Sequence, residues 1–286
     1  MKKMKSVLVF ATAMMLTVSC GSKKMAPQPF VSKEKAPKML VLYYSQTSNT
    51  QAVAKEIAKR LDADIEQIVM EQPYDGDFQA TIDRCMKERE EGVLPDIKPV
   101  AANLADYDVV FIGFPVWFGT YAPPVAAFLN QVDLSGKKIV PFCTFGSGGL
   151  ESSVKDLVRA EPNAEVLPGY GVRAARLNAM PQEIDEFLKA NGFLKGEYAK
   201  PEAFSKPHEV SDDEADIFNA AVGDYPMLNA KAKTVAIRSI PKGVEYLFFA
   251  EDLPRKDNSK MPPAGEIKVY VTVANGEAPV FTKVVR

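Results

Sequence analysis

Histidine is all but missing from this chain of 286 residues, and cysteine is nearly so. One histidine and three cysteines are too few soft ligands for a structural zinc site, and no metal site is expected. The lone His208 stands between Pro207 and Glu209 in a polar stretch, where a solvated linker side chain without a role is expected. Cys85 falls in a helix pattern and Cys143 in an apolar strand, so both read as core packing and not as a redox pair. An excess of positive charge is missing too. The formal net charge of −2 excludes nucleic acid as the main partner, because phosphate neutralisation needs clustered Lys and Arg. No constellation of acid, base and nucleophile stands out, so no catalytic side chain is assigned. The apolar run Ser6–Val18 reaches about 20 Å as a helix, short of the roughly 30 Å of a bilayer core.

That run follows the basic segment Met1-Lys2-Lys3-Met4-Lys5 and reads as a secretory signal. It ends in Leu16-Thr17-Val18-Ser19-Cys20-Gly21-Ser22, which resembles the cleavage box of bacterial lipoproteins, with Thr17 where Leu is usual. The resemblance implies a signal peptide over residues 1–20 and acylation of Cys20, with simple cleavage as the alternative. Each buried CH₂ of an acyl chain is worth about 0.8 kcal/mol, so several chains would hold the protein on a membrane. Residues 21–37, rich in Lys, Ser and Pro, read as a flexible tether.

From Lys38 onward, strand and helix patterns alternate. Met39–Tyr44 is an apolar strand, and Asn49–Leu61 is a helix with Ala52, Val53, Ile57, Ala58 and Leu61 on one face. Strand character over Ala63–Met70 precedes a helix over Phe78–Glu91. Asp108–Gly113 and Lys138–Thr144 read as strands covered on both faces. Pro123–Gln131 and Glu151–Arg159 read as helices, and Ala164–Ala174 and Pro181–Asn191 complete the series. This alternation predicts an α/β domain over 38–195, a doubly wound parallel sheet of five strands. Residues 196–210 read as a linker. Residues 211–286 carry one helix (Asp212–Val222) and four strand-like runs: Thr234–Ile240, Val244–Ala250, Glu266–Val273 and Val280–Val285. With Asn275-Gly276 as a hairpin signal, they predict a small α+β domain.

Ligands of such parallel sheets bind beyond the carboxyl ends of the strands. Three loops should meet there. The first, Ser45-Gln46-Thr47-Ser48-Asn49-Thr50, sets four hydroxyls and an amide around a helix N-terminus, with no Lys or Arg among them. Unpaired N–H groups and the helix dipole make such a spot an anion site. Four or five hydrogen bonds to a charged acceptor, about 1.5–3 kcal/mol each, offset the desolvation of a phosphate dianion. The plain alternative is a capped helix. The second loop, Phe114–Pro123, holds the only Trp of the chain, Trp117, beside Phe118 and Tyr121. The third, Phe145-Gly146-Ser147-Gly148-Gly149-Leu150, lets backbone approach a flat ligand. Together they suit a phosphorylated planar molecule. A packed surface Trp and a plain glycine turn are the alternatives.

Three motifs then carry a resemblance: Tyr44–Thr50, Ile112-Gly113-Phe114-Pro115-Val116-Trp117-Phe118-Gly119, and Leu134–Thr144. Residues 38–194 resemble a flavodoxin, in particular the flavodoxin-like domains of secreted bacterial lipoproteins. The resemblance implies FMN as cofactor. It implies that Ser45, Thr47, Ser48, Asn49 and Thr50 bind its phosphate. Pro115, Val116, Trp117, Phe118 and Gly119 would wrap the isoalloxazine, with Trp117 stacked on it, and Thr144, Phe145, Gly146 and Gly149 would close the other side. The family usually has Gly where this chain has Ser48, which implies either a differently bent loop or a weaker hold on FMN. A neutral phosphate loop also disfavours further negative charge near the flavin.

The C-terminal segments Phe218–Val222, Val235–Phe248 and Ile267–Tyr270 are similar to the cystatin-like fold. Inhibitory members carry a Gln-x-Val-x-Gly hairpin. Here Arg238 replaces the Gln, Lys242 looks inserted and the second hairpin lacks Trp, so the resemblance implies docking or capping, not protease inhibition. The expectation is an exported, lipid-anchored FMN protein that passes electrons to or from an unknown redox partner. The alternatives are an NAD(P)H- and FMN-dependent oxidoreductase of a small acceptor such as a quinone, and a non-catalytic binding module.

Overall fold

Apolar residues on both sides of a strand leave no face for water, and the centre of this fold is built from such strands. The structure, a computed structural model, describes residues 36–75, 77–223, 225–254 and 263–286. The signal segment, Cys20 and all but the end of the tether lie outside the described residues. The chain runs β1 (Met39–Tyr43), α1 (Asn49–Leu61), β2 (Asp64–Gln67), α2 (Phe78–Glu91), β3 (Val109–Trp117), β4 (Thr120–Tyr121), α3 (Pro123–Leu129), β5 (Lys138–Phe145), α4 (Leu150–Ala160), β6 (Glu165–Val166), β7 (Tyr170–Arg173) and α5 (Met180–Ala190).

The parallel sheet has the order β2-β1-β3-β5, with β6 and β7 sharing the fifth position beside β5. The expected strand over Ala164–Ala174 is thus two short pieces. Pro168, which cannot donate to a ladder, and Gly169 separate them. Every residue of β5 after Lys138 is buried. Alternate residues of β1 go to opposite cores: Leu40 and Leu42 pack with Cys85, Val125, Phe128 and Leu157 of α2, α3 and α4. Val41 and Tyr43 pack with Val53 and Ile57 of α1 and Ile184 and Leu188 of α5. Cys85 and Cys143 are buried free thiols, as expected of core packing.

The second sheet is antiparallel. It comprises β8 (His208–Glu209), β9 (Ala230–Ile240), β10 (Gly243–Asp252), β11 (Glu266–Ala274) and β12 (Val280–Val285), in the order β12-β11-β10-β9-β8. Helix α6 (Asp212–Val222) opens on a capping box between Ser211 and Glu214 and buries Phe218 and Val222 against Phe248, Val269 and Phe281. The end of the expected linker is strand β8, which extends the sheet by pairing His208 with Val235 and Glu209 with Thr234. His208 is therefore an exposed edge-strand residue, with Nε2 2.8 Å from Glu214 Oε1. A two-residue edge strand is too short to show a period in the sequence.

Gly113 is a hinge of the central packing. A Cβ there would lie 2.1 Å from Phe142 Cζ, so β3 admits no side chain at this point. Gly113→Ala should lower the unfolding free energy by about 1–3 kcal/mol in urea titrations, with Phe142→Leu in the same chain recovering part. A Gly113→Ala protein as stable as wild type would contradict this packing.

Candidate functional site

All parallel strands point their carboxyl ends the same way, so the three loops converge on one edge, and three contacts tie them together. Thr50 Oγ1, in the first turn of α1, lies 2.8 Å from Thr144 Oγ1 near the end of β5. Tyr44, just past β1, meets Trp117 edge-on with ring centroids 6.0 Å apart. Gly149 lies against Val116 so closely that a Cβ would come within 2.5 Å of its Cγ1. First, second and third loops are thus joined pairwise.

The first loop presents Ser45, Thr47, Ser48 and Asn49 at the surface, while Thr50 is 1% exposed. Ser45 Oγ accepts from the Gln51 amide at 3.2 Å, and Asn49 Nδ2 donates to Thr47 Oγ1 at 3.2 Å. Helix α1 starts without a side-chain cap and without an acidic residue in its first turn. The positive end of its dipole therefore faces the loop unneutralised. Ser48 sits at φ 64°, in the left-handed region that a glycine occupies without cost. The loop keeps a glycine-like bend, at the expense of local strain. The Thr50 and Thr144 hydroxyls, expected among the ligand-binding groups, are buried and paired with each other. Their side chains join the start of α1 to the end of β5.

The second loop is more regular than the sequence implies. Strand β3 runs on through Pro115 and Val116 to Trp117, and pairs with β4 through Val116–Tyr121 and Trp117–Thr120. Phe118 and Gly119, at φ 50° and 83°, make the tight hairpin turn. Positive φ costs a phenylalanine roughly 1–2 kcal/mol, yet its ring stands half-exposed, with the Arg89 guanidinium 5.1 Å above it.

Trp117 is not an isolated aromatic. Tyr74 also meets it edge-on, with ring centroids 5.3 Å apart. Gln46 joins the two tyrosines by accepting from Tyr44 Oη at 2.6 Å and donating to the Tyr74 carbonyl at 2.7 Å. Burial pushes both phenols above their ordinary range, and for Tyr74 the hydrogen bond to Glu88 adds to it. The aromatic wall stays uncharged at neutral pH. Tyr74 is the site neighbour that the sequence reading misses, while Tyr44 and Gln46 stand in the motif Tyr44–Thr50 with no role assigned. Tyr44 was legible as the residue before the hydroxyl loop; Tyr74 lies in an irregular stretch without periodicity.

In the third loop Gly146, Ser147, Gly148 and Gly149 are at least partly exposed, but Phe145 is 5% exposed and belongs to the core. Among the described residues no group of His, Cys, Asp and Glu is placed to hold a metal, and no helix is long and apolar enough to cross a membrane.

Hydroxyl and amide donors at a helix end, an aromatic wall and a glycine loop fit a flat molecule bearing a phosphate. A family model described as flavodoxin matches residues 38–186. NAD(P)H dehydrogenase (quinone) 3 of Rhizobium meliloti (strain 1021) is 31% identical over 128 residues, 41% of this chain. The chain spans only 58% of that relative's length. Among solved structures, a protein of Bacteroides eggerthii DSM 20697 described as a flavoprotein is 27% identical. It covers 56% of this chain and 99% of its own, with a TM-score of 0.48. A flavoprotein of Lactobacillus acidophilus NCFM in complex with FMN is 25% identical, covering 48% and 93% respectively, with a TM-score of 0.44.

The threonine pair has a testable energetic signature. Thr50→Val or Thr144→Val alone leaves one buried hydroxyl without its partner and should cost about 1–3 kcal/mol, whereas the double variant should lose less than the sum. Additive losses in a chemical-denaturation cycle would mean the hydroxyls do not pair.

Proposed function

This chain belongs to the flavodoxin family through residues 38–186, and from that premise we propose that it is an FMN-binding redox protein of the cell envelope. The observation that carries the reading is the convergence of a neutral donor loop, the Trp117 wall and a glycine loop at one sheet edge, tied by the Thr50–Thr144 pair. Ser45, Thr47, Ser48 and Asn49, with the amide end of α1 at Thr50, hold the phosphate. Pro115, Val116, Trp117, Phe118 and Gly119 cover one side of the ring, and Gly146 and Gly149 the other, with Thr144 and Phe145 fixing that loop from beneath. Bound FMN supplies one- and two-electron transfer, and the protein sets its exposure and electrostatics. Aromatic stacking adds about 0.5–1.5 kcal/mol beyond burial. With no cation in the phosphate loop, hydrogen bonds and the helix end carry the anion's whole stabilisation.

A second reading has its own support. The 31% identity to an NAD(P)H dehydrogenase (quinone) favours a reductase that takes electrons from a nicotinamide and gives them to a quinone. Steady-state NADPH oxidation, dependent on both FMN and quinone, selects it; its absence leaves a carrier for a protein partner.

Export and anchoring rest on the basic start, the apolar run Ser6–Val18 and Cys20. The C-terminal domain, one helix against an antiparallel sheet, reads as a cystatin-like docking or cap module. Labelled fatty acid should enter the protein in its native host and be lost in Cys20→Ala; equal labelling of both would remove the anchor from the proposal.

Purified protein should turn yellow with FMN, and the fluorescence of its one Trp should be quenched at micromolar cofactor. Asn49→Asp places a carboxylate beside the phosphate and should weaken FMN about tenfold or more, while riboflavin, which lacks the phosphate, changes little. Equal effects on both flavins would refute the phosphate assignment, and no quenching by either would refute the cofactor.

A further inference from the structure

The C-terminal domain touches the third loop at every residue from Gly146 to Gly148. Arg173, the last residue of β7, sits at the centre of this junction. Its Nε donates to the Gly146 carbonyl at 2.8 Å, and its Nη1 donates to the Phe281 carbonyl of β12 at 2.7 Å. One guanidinium therefore binds the loop with one edge and the second domain with the other. Its charged centre lies 4.9 Å from the Tyr225 ring and 4.4 Å from the Phe281 ring, aromatic partners supplied by the second domain. One step along, the Val284 amide donates to the Ser147 carbonyl at 2.6 Å. Lys283 Nζ then pairs with Glu151, in the first turn of α4, directly beyond the loop.

The glycines record the same closeness. At Gly148 a Cβ would fall 2.1 Å from the Val284 carbonyl oxygen, and at Gly146 it would fall 3.0 Å from Tyr225 Oη. Gly149, on the other side, faces Val116 of the second loop. The third loop is wedged between the aromatic hairpin and the second domain. Its lack of side chains serves domain packing as much as ligand approach.

We propose that the C-terminal domain is a working part of the flavin site, holding the glycine loop in its ring-covering position through a latch centred on Arg173. The inference rests on the flavin reading above and deepens it: the ring's retention is set by a domain outside the flavodoxin fold. A loop ordered before the ligand arrives loses less conformational freedom on binding. Releasing the latch returns that cost and shows mainly as faster dissociation. Arg173 is a positioning residue; it acts on the ring through the Gly146 carbonyl and not by contact.

The test uses the full chain with Arg173→Gln and Arg173→Lys. Arg173→Gln should raise the dissociation constants of FMN and riboflavin by the same factor, about tenfold, mostly through a faster off-rate in Trp117 fluorescence. Arg173→Lys, which keeps the charge and one carbonyl bond, should recover part. In cofactor-free protein, hydrogen exchange of the Val284 amide should accelerate in Arg173→Gln. Tyr225→Leu, which removes one ring but neither hydrogen bond, should move every readout the same way by less, and serves if Arg173→Gln fails to fold. Faster exchange with unchanged flavin affinity would overturn the proposal, as would a loss confined to FMN, which would make Arg173 a phosphate partner. Wild-type protein that binds neither flavin would refute the cofactor reading; unchanged Val284 exchange in Arg173→Gln would refute the latch itself.

Discussion

The hydrogen bond between Thr50 and Thr144 is the constraint on which the site's order depends. Strands β1 and β5 are not neighbours, since β3 lies between them. The pair reaches across that strand and joins the start of α1 to the end of β5. Both hydroxyls are buried, at 1% and 4% exposure, so either left alone would be an unsatisfied polar group in the core. That penalty makes the junction specific: the first and third loops must stand side by side. Trp117 and Val116 then close the triangle from the hairpin between them.

The division of labour around this junction follows from chemistry. Neutral donors gather at an uncapped helix end, and beside them stands an aromatic wall whose phenols burial pushes further above their ordinary range. Strain gathers at the same place. Ser48 and Phe118, two of the three described non-glycine residues with positive φ, lie on the first and second loops. Such strain persists only where surrounding structure over-determines the backbone. Here the β3–β4 hairpin and the packed helix α1 supply that surrounding. Strand β12 adds a third contact, with the Val284 amide donating to the Ser147 carbonyl of the glycine loop.

Much of this was legible in the residue order. The two-sided apolar runs of β3 and β5 announced a covered parallel sheet, and the 3–4 spacing after Asn49 announced α1. The fold class, the separate antiparallel sheet and the placing of three loops at one edge all follow from such patterns. What escaped was short or non-local. Strand β8 has two residues and no period to detect. The break between β6 and β7 needed Pro168 to be read as a strand interruption. The side chains of Thr50, Thr144 and Phe145 are buried, and motif position does not reveal which way a side chain turns. Tyr74 reaches Trp117 across a chain separation that carries no sequence signal.

By itself, then, the order of residues determined the local elements, the neutral character of the donor loop and the resemblance to flavodoxins, because periodicity, capping chemistry and composition are properties of short stretches. Only the tertiary structure decided which hydroxyls face outward, which aromatic rings meet and that the C-terminal domain grips the glycine loop. Those outcomes depend on burial and on contacts between residues such as Arg173 and Phe281, far apart in the chain, where distance in sequence says nothing about distance in space.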